Sequence, residues 1–209
     1  MRELIKYLES KRGSSLVMVL IVFSILSILG VTLLSLAVFN FKMKTVDRKV
    51  KAAFYLSEAG LDEAYGVVVN GVKNAIESGY ANVKASYDPW LASQNPNKPL
   101  PDPPYNQWFQ QAYRNYIQHS LTDLIVNHNY SVLDSSLSST PPIIVINQAI
   151  SYSSTENKFL FQLKSSHTHQ NVEKSITAQY KIGVPDYSIN LLKKEQIIPL
   201  IECKYILME

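Results

Sequence analysis

The feature that most constrains this chain is a run of 29 residues, from Gly13 to Phe41, that contains no charged side chain. Lys11 and Arg12 stand immediately before the run, and Lys42 stands immediately after it. Most residues in between are leucine, valine or isoleucine. A helix needs about 20 apolar residues to cross the hydrocarbon core of a bilayer, so this run is long enough to span a membrane, even when tilted. The sequence therefore predicts a membrane-embedded helix at residues 14–41.

Three kinds of segment have a composition of this type: a cleaved secretory signal peptide, an uncleaved anchor, and a prepilin-type leader that is cut before the apolar run. A secretory signal has an apolar stretch of about 7–15 residues and a small-x-small cleavage site after it. The present run is longer, and Ala37-Val38-Phe39 offers no such site. The signal peptide is therefore disfavoured, and hydropathy alone favours the plain anchor.

The flanking charges do not determine how the run is oriented. Four basic residues precede it, and five follow it within ten positions, so the positive-inside comparison is nearly tied. Only a short segment precedes the run, whereas a long C-terminal part can cross a membrane largely regardless of its charge. We therefore predict a cytoplasmic N-terminus and an extracytoplasmic C-terminal part.

The segment from Lys42 to Gly79 is predicted to continue the helix in amphipathic form. Its apolar residues recur at steps of three and four positions, which is the spacing of one helix face. No proline occurs before Asp88 to force a break, and Gly79 is a typical C-terminal stop. The stripe consists of Val46, Val50, Ala53, Phe54, Leu61, Ala64, Tyr65, Val68, Val72, Ala75 and Ile76. Such a stripe predicts packing against the chain's own globular part.

The composition changes after Gly79. Six prolines fall within residues 80–104, which predicts an extended, turn-rich connection and neither a helix nor a central strand. From Tyr105 to about His128, apolar and aromatic residues return to helical spacing. One or two short helices are predicted there, with their aromatic residues in the core.

Three strands are predicted in the C-terminal third, because apolar and polar residues alternate there and short polar turns separate the alternating segments. The predicted strands are Ile143–Ser153, Lys158–Ser166 and Val172–Val184, joined by turns at 154–157 and 167–171. This pattern predicts an antiparallel meander. A Ser/Pro loop at Ser135–Pro142 precedes it. Residues 185–209 would suit either a further strand or a cover for the sheet edge.

Signs of catalysis or of ligand chemistry are scarce. Cys203 is the only cysteine, so no intrachain disulfide can form, and no nucleophile signature surrounds it. His167 and His169 could share a face, but a metal site usually needs three or four ligands, so solvated turn histidines are favoured. The net charge of +3 is too small to indicate a nucleic-acid-binding surface. No enzymatic activity, metal, cofactor or nucleic-acid partner is predicted.

Several features follow one another in the N-terminal region: Arg12-Gly13-Ser14-Ser15-Leu16-Val17, the apolar run, a mixed-charge stretch, and then Ala53-Phe54-Tyr55-Leu56-Ser57-Glu58-Ala59-Gly60-Leu61. In this order and at these distances they resemble the N-terminal region of PilX-type minor pilins. Those proteins belong to the superfamily of type IV pilins and type II secretion pseudopilins. The resemblance covers about residues 11–65.

The resemblance implies an α+β, pilin-like fold, in which a long N-terminal helix packs on a small antiparallel meander. It also implies cleavage after Gly13 by a prepilin peptidase, N-methylation of Ser14, and transfer of the helix from the membrane into a filament of pilins or pseudopilins. The chain would then consist of a leader (1–13), a transmembrane half-helix (14–41), an amphipathic half-helix (42–79) and an extracytoplasmic globular domain (80–209).

Two residues depart from the pattern of major pilins. Ser14 stands at the first mature position, where those proteins usually have phenylalanine, and Met18 stands at the fifth, where they carry glutamate. In the family this glutamate is thought to pair with the N-terminal amine of a neighbouring subunit. Its absence indicates a minor subunit that acts at initiation or at the tip. The alternative is that Met18 is one more apolar residue facing lipid.

Gly30 is the only glycine inside the apolar run after Gly13. A nearby part of the helix can unwind in the superfamily when subunits enter a filament, which makes Gly30 a candidate hinge. Close packing against another helix is the favoured alternative, because small residues are common where membrane helices meet.

The predicted function is that of a minor pilin-like subunit, processed by prepilin peptidase, located first in the cytoplasmic membrane and then at the cell surface. A pseudopilin of a secretion or DNA-uptake machine is the alternative within the superfamily. A single-pass anchored extracytoplasmic protein that binds a ligand and does not polymerise is the alternative outside it. Processing distinguishes members of the superfamily from the anchored protein, since an anchor keeps residues 1–13 and a pilin loses them.

Overall fold

A computed structural model describes residues 11–131, 140–188 and 197–206 of the chain. In chain order, the elements in these ranges are helix α1 (Lys11–Ala92), helix α2 (Tyr105–Val126), strands β1 (Ile143–Ser153), β2 (Lys158–His169) and β3 (Val172–Gly183), a 3₁₀ turn (Ile198–Leu200) and strand β4 (Ile201–Ile206). The protein is therefore α+β, as predicted. It divides into two compact units, of which the first ends at Arg48 and the second begins at Lys49.

The first unit contains the apolar part of α1. Its side chains from Leu16 to Lys44 are all exposed. The hydroxyls of Ser24, Ser27 and Thr32 donate hydrogen bonds of 2.8 Å to backbone carbonyls three or four residues earlier. Lipid offers no hydrogen-bond partner, so a helix that satisfies its own polar groups suits a bilayer. This helix is long and apolar enough to span a membrane.

The core of the second unit is built on one face of α1. The stripe predicted from the sequence is confirmed from Ala53 onward, whereas Val46 lies in the first unit and is exposed. α2 adds a row of buried residues at steps of four, and the sheet adds its inner face. The fully buried members are Leu61, Ala64, Val68, Val72, Ala75 and Ile76 on α1, Phe109, Tyr113, Ile117, Leu121 and Ile125 on α2, and Phe159, Phe161, Leu163, Ala178, Tyr180 and Ile182 in the sheet.

The predicted end of the first helix at Gly79 is wrong, because α1 continues through Pro89 to Ala92. Gly79 does not form a turn but allows α1 and α2 to pack closely. A Cβ atom built on it would lie 2.5 Å from ring atoms of Phe109 on α2. Pro89 falls in the last turn of the helix. It has no N–H to donate to the carbonyl four residues earlier, but a distortion there affects only the three helical residues that follow. The extended, proline-rich connection is accordingly shorter than predicted, and it joins Ala92 to Tyr105.

Aromatic rings cluster where the end of α1 meets the start of α2. Ring centroids of neighbouring members are 5.4–6.2 Å apart. The cluster consists of Tyr80, Tyr87, Trp90, Tyr105, Trp108, Phe109 and Tyr187. Aromatic contacts of this kind stabilise a fold beyond the contribution from burying the apolar area of the rings. Phe109 and Tyr113 confirm the prediction that α2 carries core aromatics, and Trp108 is half-buried.

The sheet is an antiparallel meander in the order β1-β2-β3-β4, so the predicted meander is confirmed. β2 runs three residues further than predicted, to His169, because the turn to β3 needs only Gln170 and Asn171. Both have positive φ, 47° and 67°, as a two-residue hairpin turn requires.

The C-terminal segment, whose role the sequence left open between a strand and an edge cover, supplies β4 next to β3. The predicted Ser/Pro loop lies mostly outside the described residues, as do residues 1–10 of the predicted leader and positions 189–196 and 207–209.

We expect a fragment of residues 42–209 to be soluble and folded without lipid, because the core of the second unit is formed entirely by residues after Lys49. Circular dichroism should show helix and strand together, and heating should give one cooperative transition. An aggregated or unfolded product would contradict the separation of the lipid-facing surface from the globular core.

In that fragment, Gly79→Ala should destabilise the fold by about 1–3 kcal/mol, because the added methyl group overlaps the Phe109 ring. Gly66→Ala is the matched control, since no atom lies within 4 Å of its Cβ position. The control should be neutral or stabilising by up to about 1 kcal/mol, because alanine favours helix over glycine. Urea unfolding measures both. Equal effects of the two substitutions would show that α1 and α2 do not approach closely at Gly79.

Candidate membrane-spanning and assembly segment

The N-terminal part of α1 carries an extensive uncovered apolar surface. Nineteen large apolar side chains between Leu16 and Phe41 are exposed, each by about half or more. Soluble monomers rarely leave contiguous apolar patches of more than a few hundred Å² open to water, and larger patches mark membrane or protein contacts. This segment is therefore the candidate functional surface of the protein.

Met18 lies in a shallow groove on this surface. The groove is lined by Met18, Val19, Val22, Phe23 and Leu26, all apolar. Positions 18, 22 and 26 form one ridge of the helix, and 19 and 23 form the next, which is the surface relief that a second helix uses for packing. Met18 is 65% exposed. It thus presents an apolar surface at the position where major pilins carry glutamate.

The other predicted assembly residues lie along the same helix. Gly13 and Ser14 belong to the first turn of α1. Gly30 is in continuous helix, and nothing lies within 4 Å of a Cβ atom built on it. Close packing at Gly30 would therefore need a helix from another molecule, and a hinge there would need a departure from the helical state.

In the second unit, a carboxylate that the sequence did not single out links α1 to the segment that follows α2. Glu63 accepts hydrogen bonds from the Ser131 backbone N–H (3.0 Å), the Ser131 hydroxyl (3.0 Å) and His128 Nε2 (3.2 Å). Burial raises the pKa of Glu63, but the hydrogen bonds from Ser131 and His128 outweigh burial, so the net shift is downward. Because hydrogen-bond donors surround the Glu63 carboxylate, its role is to hold these segments together.

A second contact that sequence analysis missed fastens α2 to the β1–β2 hairpin. The Arg114 guanidinium lies 4.7 Å from the centroid of the Tyr152 ring. Arg114 donates to Asn157 Oδ1 at 3.3 Å, and the Tyr152 hydroxyl donates to the same oxygen at 2.8 Å. Asn157 occupies the turn with a φ of 51°. These groups hold the turn against α2, and nothing in their arrangement suggests chemistry.

The two histidines do not lie on a solvated turn, so that interpretation is corrected. His167 is on the inner face of β2 and only 3% exposed, and its Nε2 atom has no hydrogen-bond partner among the described residues. Burial, and secondarily the charge of His169, lowers the pKa of His167. Within the described ranges, no three His, Cys, Asp or Glu side chains are grouped to hold a metal ion.

Cys203 lies on β4 and is exposed. Partial burial around the sulfur atom raises the pKa of the thiol, and the nearby Asp62 carboxylate adds to this effect. Asp62 accepts a hydrogen bond of 2.7 Å from the Tyr205 hydroxyl. A raised pKa reduces the fraction of thiolate, which is the nucleophilic form. The geometry therefore gives Cys203 no activated character.

Comparison of the chain with protein-family models, curated proteins and solved structures gives no match.

The burial of His167 predicts acid sensitivity of the second unit. The unfolded chain binds a proton on this side chain near pH 6.5, and the folded chain does so only at lower pH. Stability should therefore fall as the pH is lowered from 7 through 6.5, with a slope of no more than about 1.4 kcal/mol per pH unit from this group. His167→Phe should reduce that slope in the 42–209 fragment.

His119→Phe is the control, because His119 is exposed on α2. Urea unfolding between pH 7 and pH 5 measures the effect. A His167→Phe variant whose stability depends on pH as steeply as that of the control would contradict a buried neutral imidazole.

Proposed function

We propose that this protein is a structural, pilin-like subunit of a type IV pilus or pseudopilus and not an enzyme. One observation carries the proposal: helix α1 is apolar and exposed on all sides from Leu16 to Phe41, whereas from Ala53 onward one face of α1 is the core of an α+β unit with an antiparallel meander. A pilin needs both properties, because its helix is held first in lipid and then among the helices of other subunits. The resemblance at residues 11–65 supports the same assignment.

In this role the exposed segment has two successive environments. It spans the cytoplasmic membrane with the N-terminus inside and the second unit outside. Prepilin peptidase removes residues 1–13, and Ser14 becomes the methylated N-terminus. The helices of other pilins or pseudopilins then replace lipid around residues 14–41. Lipid tails are about as apolar as leucine, so packing and polar contacts between helices must favour this exchange.

The surface around Met18 supports a minor role for the subunit. A glutamate at this position would require a partner, because an unpartnered charge is costly in apolar surroundings. Met18 requires none, and it offers none to the amine of a neighbouring subunit. A chain that repeated along a shaft would lack that contact at every interface, whereas a tip or initiating subunit has no subunit ahead of it to pair with.

A second candidate function is that of a single-pass anchored protein whose outer unit binds a ligand and does not polymerise. One observation favours it: an open cleft of about 370 Å³ in the second unit is lined by aromatic rings together with Lys84 and Asp88. The rings belong to Tyr80, Tyr87, Tyr105 and Tyr187. Ligand clefts of this size typically combine aromatic walls with a few polar groups.

Processing separates the two candidates. In a host with an active prepilin peptidase, the mature chain should begin at Ser14, and Gly13→Val should block cleavage. Gly30→Val, in the same apolar run, is the control and should be processed normally. Intact-mass measurement of the membrane fraction reads out both. A mature wild-type chain that still begins at Met1 would refute the pilin proposal and leave the anchor.

The minor role predicts low abundance. Quantitative mass spectrometry of sheared filaments should find this chain at a small fraction of the dominant subunit, and its deletion should reduce filament number. Met18→Glu should still insert into the membrane, since a carboxylate near a helix end costs less than one at the bilayer centre. Finding this chain as the principal filament protein would contradict the assignment.

A further inference from the structure

The described part of α1 carries a short basic band directly after its apolar run. Lys42, Lys44 and Arg48 are exposed, and Asp47 is the one acidic residue between them. None of the three basic side chains forms an ion pair with a described residue. Long basic side chains without a protein partner at the end of an apolar helix are suited to an external anionic surface.

The length of the apolar run sets the depth at which this basic band lies. The 29 residues without charge extend about 43 Å as a helix at 1.5 Å per residue. A bilayer is about 30 Å thick in its hydrocarbon core and about 40–45 Å thick with its headgroup regions. The uncharged run therefore matches the distance between the two headgroup layers. With Lys11 and Arg12 at one headgroup layer, Lys42 begins at the other.

Basic and apolar side chains occupy different sides of the helix at the band. Lys44 and Arg48 are four residues apart and form one row, while Lys42 lies on another side of the helix. Met43 and Val46, three residues apart, form an apolar stripe between them and are 57% and 54% exposed. At the end of a membrane-spanning helix, such apolar side chains can contact acyl chains while the long basic side chains extend to the phosphates.

We infer that Lys42, Lys44 and Arg48 form a binding band for anionic phospholipid headgroups on the extracytoplasmic side of the membrane. The ligand class is a phosphodiester headgroup with net negative charge, and the apolar run commits the band to lipid because it holds these cations at headgroup depth. The band fixes the depth of the subunit before assembly. This inference rests on the membrane-spanning role proposed above and adds the lipid class to it.

The test uses the full chain in mixed micelles that contain equal amounts of phosphatidylglycerol and phosphatidylcholine. The protein is captured, and the lipid recovered with it is quantified by mass spectrometry. The band variant is Lys42→Gln/Lys44→Gln/Arg48→Gln. The charge-matched control is Lys98→Gln/Lys174→Gln/Lys204→Gln, whose three positions are exposed in the second unit. Both variants keep the basic residues before Gly13, so these contribute equally to the result.

The wild-type chain should recover phosphatidylglycerol in excess. The band variant should lower that excess about tenfold, and the control should leave it unchanged. Raising the salt concentration to about 0.5 M should reduce the wild-type excess, because the contacts are exposed to solvent. Inorganic phosphate at constant ionic strength should not compete.

Four results would overturn the inference. An excess that is equal in the band variant and the control would show that these cations do not select lipid, which is also the result expected if their partners are acidic side chains of other subunits. Competition by inorganic phosphate would indicate a site for free phosphate. A chain that enters neither phosphatidylcholine nor phosphatidylglycerol nanodiscs would overturn the membrane-spanning role together with the band. Entry into both without lipid selection would overturn the band alone.

Discussion

The burial of one face of α1 is the interaction on which the rest of the second unit depends. From Ala53 to Ile76 that face supplies fully buried apolar side chains at helical spacing. Each large apolar side chain contributes about 1.5–3 kcal/mol when it is fully removed from water. The row of five buried residues on α2 and the inner face of the sheet both pack on this stripe. Without the stripe on α1, neither α2 nor the sheet would have an apolar surface to pack against.

Polar contacts then fix how these layers sit on the stripe. Ser57 donates hydrogen bonds of 2.9 Å to its own helix at Ala53 and to the Lys174 carbonyl of β3. Glu63 ties the segment that follows α2 to α1, and Arg114 ties α2 to the β1–β2 turn. Buried polar groups contribute specificity when they are satisfied, because a shifted arrangement would leave them without partners. The apolar stripe thus provides the stabilisation, and these contacts select one register.

Local patterns in the sequence predicted local structure well. Alternation located three strands, and their boundaries differ from the observed ones by no more than three residues. The errors arose where one distant residue decides the outcome. Gly79 looked like a helix stop because its packing partner Phe109 lies on another element. His167 looked like a turn residue because two left-handed residues, Gln170 and Asn171, shorten the turn. β4 stayed undecided because strand pairing is not visible in the strand's own residues.

The features of the candidate site also differ in whether the sequence could predict them. The exposed run from Leu16 to Phe41 was predictable, since its composition alone determines what can surround it. The tie between Glu63 and Ser131 was not, because it joins residues 68 positions apart, and neither residue type is unusual on a helix or in a loop. The cation–π pair of Arg114 and Tyr152 was hidden for the same reason.

The exposed run would restrict how a subunit in the proposed role leaves the membrane. Placing nineteen large apolar side chains in water would cost on the order of tens of kcal/mol. This exceeds the typical stability of a folded domain, about 5–15 kcal/mol. In the proposed role, the helix therefore cannot pass through water as a free monomer, and lipid must be exchanged directly for the helices of other subunits. In that role Met18 needs no partner, so the exchange would leave no charge at this position exposed to the apolar phase.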